Sequence, residues 1–344
     1  MTFNGPGRPR GVSLRRRFFS IPTLASFGVA IAIIVMLSTS TGLDWDETWE
    51  NIKSINPWLY LAAMAVYYLS FVFRGYRWRI LAENATDHSA EDANMPSPLH
   101  CARLLILGWF VNSVAWLRLG DAYRALIFSE DSNTTFSWSL GTVLAERVLD
   151  MATVAVVIFF SVFVLTATSD LAVAQYIVIM AFVMSFGVIG IILSMRIYGT
   201  RAARLLPSRF ETAFNRFQQG TLDGLKGQLP LMLALGLIGW LLEIGRLYLV
   251  VLALDLEIAL ALVPVVALGH AILSTVPTPG GLGAVEPGIT GLLLLSLDRD
   301  DAVSVAIVDR SINYVSIILI GGALFLLRNI LKARAKKRDA AIMA

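Results

Sequence analysis

Four small groups of charged or strongly polar residues stand inside long apolar stretches of this sequence. A charge held in hydrocarbon is expensive unless it is paired or hydrated. The first group is Arg118, Asp121 and Arg124. Asp121 and Arg124 are three apart, so a helix puts them on one face. The guanidiniums of Arg118 and Arg124 suit a phosphate-binding edge; a positive anchor with one local salt bridge is the plainer reading. The second group is Glu146, Arg147 and Asp150. At spacings of three and four they form one stripe, and two acids against one base leave a negative charge. That charge can hold Arg118 or Arg124 or take up a proton, and a structural bridge between segments serves as well.

The third group is the run Pro277-Thr278-Pro279-Gly280-Gly281-Leu282-Gly283-Ala284-Val285-Glu286. Pro277 and Pro279 cannot continue a helix, and Gly280, Gly281 and Gly283 permit positive φ and close backbone approach. Between apolar segments this implies a broken helix whose free amides line a cavity or face a ligand. Glu286 has no basic neighbour in sequence, so it pairs with Arg310, Arg147 or Arg246 or stays protonated. The fourth group, Asp309, Arg310 and Asn313, repeats the acid–Arg stripe. Glu243 and Arg246 lie three apart in a long apolar run and are expected to satisfy each other. His270, alone in an apolar arm, reads as a hydrogen-bonded structural residue before a proton relay.

The elements that must position these groups are membrane helices. Hydrophobic residues make up 56% of the 344 and charged residues 15%, with mean hydropathy +0.69; a soluble domain carries roughly 25% charge. No stretch is left for a separate soluble catalytic domain, and the protein is expected not to be an enzyme. One cysteine, Cys101, excludes an internal disulfide and a thiolate cluster, and His88, His100 and His270 are scattered. Neither metal nor cofactor is expected, and no nucleic-acid partner.

Apolar runs at about 21–40, 57–73, 138–165, 173–195, 229–253 and 302–327 read as six spanning helices. The stretches 101–130 and 259–297 are interrupted by Gly, Pro or charge. Basic residues set the orientation: five in the N-terminal tail, four between Arg74 and Arg103, six in 196–228 and six after 327, which is 21 of 28. The opposite loops are acidic (Asp44, Asp46, Glu47, Glu50, Asp170, Asp255, Glu257, Asp298, Asp300, Asp301). Both termini are thus expected to be cytoplasmic in an inner membrane. A signal peptide at 21–40, with Arg15–Arg17 before it and small residues at Ser38 and Ser40, is the weaker alternative, since the apolar run is long for one and no Ala-x-Ala site follows. By parity, 101–130 is a re-entrant hairpin entering from inside and 259–297 one entering from outside. The linker 196–228, with Arg201, Arg204, Phe210, Phe214, Arg216 and Phe217, reads as an interfacial amphipathic helix.

A shift of 163 residues lays Leu119-Gly120 on Leu282-Gly283, Glu146-Arg147 on Asp309-Arg310, Asp150 on Asn313 and Asn112 on Thr275. A fainter echo pairs Arg74-Gly75-Tyr76 with Arg246-Leu247-Tyr248. The expected architecture is therefore an all-α polytopic membrane protein of about six spans and two re-entrant hairpins in an inverted repeat. Residues 1–20 and 331–344 are basic cytoplasmic tails. Residues 21–330 form one transmembrane domain, with repeats at about 57–165 and 229–327. Inverted repeats with broken helices meeting at mid-membrane are how many transporters build a site reachable from either face.

Asn112, Leu119-Gly-Asp-x-x-Arg124, Glu146-Arg-x-x-Asp150 and Pro277-x-Pro-Gly-Gly-Leu-Gly-x-x-Glu286 together resemble the membrane domain of the lysylphosphatidylglycerol synthase/flippase family, over about 21–330. The resemblance implies lipid translocation without the synthase domain. The family pattern has a proline before the first Gly-acid step, where this chain has Trp116-Leu117-Arg118, which leaves the sharpness of the first break open. The expected substrate is a membrane lipid with an anionic headgroup. Arg118, Arg124, Arg147 and Arg310 would hold it, and Asp121 and Glu286 would compete for the same arginines or couple to protons. The rivals are a membrane enzyme acting on a polyprenyl-phosphate donor and a non-transporting partner. A second copy of the chain or cell-envelope biosynthesis enzymes are the partners left open.

Overall fold

The computed structural model describes residues 45–86, 94–168 and 174–342. The expected span at 21–40, the N-terminal tail, His88, Asp44 and Asp170 lie outside them. Among the described residues every regular element is a helix: α1 (Trp45–Lys53), α2 (Pro57–Ala85), α3 (Pro98–Val114), α4 (Gly120–Asp131), α5 (Phe136–Thr168), α6 (Ala174–Arg204), α7 (Ser208–Gly224), α8 (Leu229–Ala253), α9 (Leu262–Leu273), α10 (Val285–Leu293), α11 (Arg299–Arg310) and α12 (Ser316–Ile342). A π-helical turn, Ser311–Val315, joins the last two.

Caps written into the sequence start the helices. Asn56 accepts from the Trp58 and Leu59 amides with Pro57 in the first turn, and Ser97 does the same for His100 ahead of Pro98. Among the described residues, three runs are long and apolar enough to cross a bilayer: Pro57–Ala85, Leu229–Ala253 and Arg299–Ala335. Helices α5 and α6, of 33 and 31 residues, extend about 45–50 Å, well beyond a hydrocarbon core of about 30 Å. Val183 and Phe186 on α6 and Leu319 and Leu326 on α12 face outward. Such a display of large apolar side chains is stable against lipid and poorly soluble in water.

Helices α2 and α8 make the most extensive contact in the fold, and they run antiparallel. The Asn56 amide at the start of α2 donates to the Ala253 carbonyl at the end of α8 (2.8 Å). The Asn84 Nδ2 at the end of α2 donates to the Lys226 carbonyl just before α8 (2.6 Å). Pro57 and Leu229, where the two helices begin, stand 172 positions apart, as do Arg74 and Arg246. Helices α3 and α4 pack as one hairpin, and α9 and α10 as another. Their 3-10 breaks, Trp116–Arg118 and Pro279–Gly281, stand 163 positions apart, as do the helix starts Phe136 and Arg299.

The first break is as sharp as the second although it has no proline. Leu117 adopts φ 62° and ψ 25°, matching φ 59° and ψ 19° at Gly280. A left-handed leucine costs roughly 1–2 kcal/mol, and the surroundings hold it there. Asn112 Oδ1 accepts the Gly120 amide at 2.7 Å. Gly120 lies so close to the Gly108 carbonyl that a Cβ has no room. Helix α7 does more than float at an interface. Thr221 Oγ1 donates to the Gly141 carbonyl of α5 (3.1 Å), and Gly220 and Gly141 bring the two backbones together. Phe210 stays exposed.

Candidate functional site

The tips of the two hairpins meet. Arg118 Nη1, in the first break, donates to the Ser274 carbonyl at the end of α9. The Tyr314 hydroxyl donates to the Ser113 carbonyl at 3.2 Å. Beside this junction lies a cavity of about 210 Å³, lined by Arg74, Arg118, Arg147 and Arg246 against Asp121, Asp150 and Glu243. Trp109, Trp240, Met151 and Val154 form apolar walls. A recess of about 40 Å³ shares Trp109, Arg118, His270, Ser274 and Asn313 with it and adds Asn112, Gly280, Arg310 and Tyr314.

Charges at the first hairpin close into a ring across α2, α4 and α5. Arg77 meets Asp150 at 2.6 Å and Glu146 at 3.5 Å. Glu146 meets Arg124 at 2.5 Å, and Arg124 meets Asp121 at 3.1 Å. Asp121 meets Arg147 at 2.7 Å, and Arg147 returns to Asp150 at 3.6 Å. Three positive and three negative charges alternate, each with two opposite neighbours. Arg77 and Arg124 are fully buried, and Arg124 stacks on Trp78 (5.1 Å). Burial without such pairing is costly for a guanidinium, so the ring is what allows them inside.

At the second hairpin the charges form an open chain. Arg74 and Arg246 both reach Glu243, at 3.4 and 3.3 Å. Arg246 also pairs with Asp309, whose other oxygen accepts from Asn313 Nδ2 at 2.6 Å. His270 Nδ1 lies 3.4 Å from Asp309 Oδ2 without making a hydrogen bond. A further ion pair clamps the break: Arg310 meets Glu286 at 2.9 Å and donates to the Gly280 carbonyl at 3.0 Å and to Asn313 Oδ1 at 3.4 Å, while Glu286 accepts the Gly283 amide at 2.8 Å. Arg74 stacks on Trp240 and Trp109 (4.9 and 5.8 Å), and the Trp240 indole N–H is buried without a partner. The residue types explain why no ring closes here. Where the first half has Asp121, Arg124 and Asp150, the 163-residue shift gives Ala284, Pro287 and Asn313.

The residues expected to bind substrate divide accordingly. Arg118, Asp121, Arg147, Asp150 and Asn313 line the larger cavity, and Arg310 lines the recess. Arg124 and Glu146 belong to the ring but do not border the cavity, Asp309 stands behind Arg246, and Glu286 is in the clamp. Gly280 borders the recess. Pro277, Pro279, Gly281 and Gly283 shape the break and border neither space.

Arg74 and Arg77 correct the reading that the second span ends at residue 73 with its arginines in the cytoplasm: α2 runs on to Ala85 and both side chains are buried. The arginine echo of Arg74 with Arg246 was the one sign of their role. Trp109 and Trp240, which the sequence did not single out, wall the cavity. Among the described residues no group of His, Cys, Asp and Glu is placed to hold a metal ion.

The family model described as Lysylphosphatidylglycerol synthase TM region matches residues 25–321 of this chain. A UPF0104 membrane protein of Methanocaldococcus jannaschii is 32% identical to it over 232 residues, which cover 65% of this chain and 97% of that protein. The chain belongs to the lysylphosphatidylglycerol synthase TM-region family and is a membrane protein.

Proposed function

We propose that this member of the lysylphosphatidylglycerol synthase TM-region family is a lipid translocator and not an enzyme. It would carry an anionic phospholipid or polyprenyl-phosphate-type lipid between the leaflets of the inner membrane. In this reading both termini are cytoplasmic, and the α3–α4 and α9–α10 hairpins are re-entrant from opposite sides, forming the halves of an inverted repeat.

The observation that carries the proposal is the state of Arg118. Among the described ion pairs it has no carboxylate partner, and it lines both the cavity and the recess while donating to the Ser274 carbonyl. Four arginines against three carboxylates leave the cavity lining one positive charge in excess. A phosphate diester brings the missing negative charge, and a guanidinium is its natural bidentate partner. The space suits a headgroup and is too small for acyl chains, so the tails stay in lipid. Tilting of one half against the other about the α2–α8 pair would open the site to each leaflet in turn.

Flux of fluorescent-tailed phosphatidylglycerol in proteoliposomes, followed by bleaching of the outer leaflet, tests this. The wild type is expected to move it faster than phosphatidylcholine. Arg118→Gln should lower the flux about tenfold or more, the effect of losing one charge-assisted hydrogen bond. Equal flux by wild type and Arg118→Gln would contradict the assignment.

A further inference from the structure

We propose that movement of the anionic headgroup is coupled to a proton and that His270 carries it. The inference rests on the transport reading above and adds the coupling ion and its residue. His270 projects from the apolar helix α9, lines both the cavity and the recess, and has a side chain only 12% exposed. Its Nδ1 faces Asp309 at 3.4 Å with no hydrogen bond made.

The other acids at the junction are already occupied. Glu146, Asp121 and Asp150 each touch two arginines of the closed ring, and Glu286 holds Arg310 and the Gly283 amide. A proton on a ring acid would break two of the ring's pairs and leave its three arginines against two carboxylates, and one on Glu286 would take the carboxylate from Arg310. His270 stands at the loose end of the open chain, where a proton completes a contact. Arg74, Glu243, Arg246 and Asp309 sum to zero charge, so a proton at Nδ1 adds one positive charge and turns the 3.4 Å contact into an ion pair. Asp309 is then shared, and Arg246, which keeps Glu243 as a partner, is freer to serve the cavity that it lines.

The groups around the imidazole decide when this happens. Arg246 from α8 and Arg310 from α11 oppose a new positive charge, as does Arg118 across the junction. Arg310 is balanced by Glu286, and on α5 Arg147 is balanced by Asp150 and Asp121. An anion in the cavity offsets the opposing cations, so anion and proton binding strengthen each other by the same factor. Both leave together on the opposite side. A monoanionic headgroup travelling with one proton also moves no net charge against the membrane potential.

The test uses dihexanoyl phosphatidylglycerol, a soluble phosphodiester that does not titrate near neutrality. Calorimetric binding to the purified protein, in two buffers of different ionisation enthalpy, is expected to show proton uptake approaching one per ligand. Affinity should weaken by up to about tenfold per pH unit between the pH at which the histidine titrates in the free protein and the higher pH at which it titrates with the anion bound. His270→Gln should abolish both the uptake and the pH slope. Asp309→Asn, which keeps the imidazole and removes the negative charge facing it, should move the slope to lower pH. In proteoliposomes, a pH gradient should accelerate wild-type flux and leave His270→Gln flux unaltered relative to its own value at symmetric pH. Proton uptake that persists in His270→Gln, or wild-type flux without proton-linked binding, overturns this inference and leaves transport standing. Absence of wild-type flux under every gradient overturns both.

Discussion

Around the first hairpin, Arg77, Glu146, Arg124, Asp121, Arg147 and Asp150 close on themselves, every charge held from two sides. Around the second, Arg74, Glu243, Arg246 and Asp309 run as a chain with His270 at its loose end, and the Arg310–Glu286 pair is joined to it through the Asn313 amide. The two hairpins break at matched positions, so the contrast lies in the charges. A closed ring ties three helices into one body, because moving any one of them breaks at least two ion pairs at once. A chain with exchangeable partners can be rearranged. The first hairpin is therefore the fixed wall of the site and the second the adjustable one.

The largest effect should come from opening the ring. Arg77→Met leaves Glu146 and Asp150 buried against one guanidinium fewer, and is expected to cost about 3–5 kcal/mol in an unfolding titration in detergent. Arg74→Met at the end of the chain should cost less, about 1–3 kcal/mol, because its one acid, Glu243, retains Arg246. Equal losses would erase the distinction between wall and gate.

Next come the breaks themselves. Gly280→Ala forces a side chain into a left-handed position against the Tyr314 ring and is expected to lower stability by about 1–2 kcal/mol. The reverse exchange, Leu117→Gly, should stabilise by up to about 1 kcal/mol, since the strain at Leu117 disappears. Thermal unfolding of the pair measures both, and a loss at Leu117→Gly would show that its exposed side chain serves the first tip in another way.

The smallest effect concerns the mouth of the first hairpin. Asp131 takes both Nη groups of Arg328 at 2.7 Å and His100 Nε2 at 2.8 Å. Burial alone would raise its pKa, but the hydrogen bonds from His100 and Arg328 outweigh it and hold the carboxyl below its ordinary value. A depressed carboxylate contributes stability above its unfolded value of about 4, and that contribution is lost as pH falls through the lower folded value. Asp131→Asn should remove about 1 kcal/mol at neutral pH and flatten stability between about pH 4 and 2. The 163-residue shift puts Leu294 at the matching place, so no such acid response is expected from the second hairpin.

How much of this was legible depends on how local each cause is. The Pro277–Glu286 run and the spacing of Glu146-Arg147 with Asp309-Arg310 carry their meaning in a few adjacent residues, and the second break and both stripes follow from them. The pairing of Asp121 with Arg124 and the hold of the Glu146 stripe on Arg124 were legible, but the closure of the ring was not, because Arg77 meets Glu146 and Asp150 from 69 and 73 positions away. A lone arginine in an apolar run reads as the end of a span until its partners are seen. The first break was open for the same reason: Leu117 is held left-handed by Gly108, Asn112 and Gly120, which act only once the hairpin has closed. Trp109 and Trp240 gave no signal, since an indole in an apolar helix looks alike whether it faces core, lipid or cavity.

The central claim is that one polar site between the two tips opens to both faces of the membrane. Thr275 is exposed and lines the cavity, and the native Cys101 is buried and can be replaced by serine. Labelling of Thr275→Cys in that background, with a membrane-impermeant thiol reagent applied to either side of sealed vesicles, reads the access directly. Modification from both sides, slowed by an anionic phospholipid, is the expected result. Modification from one side alone, whatever lipid or pH gradient is supplied, would contradict it.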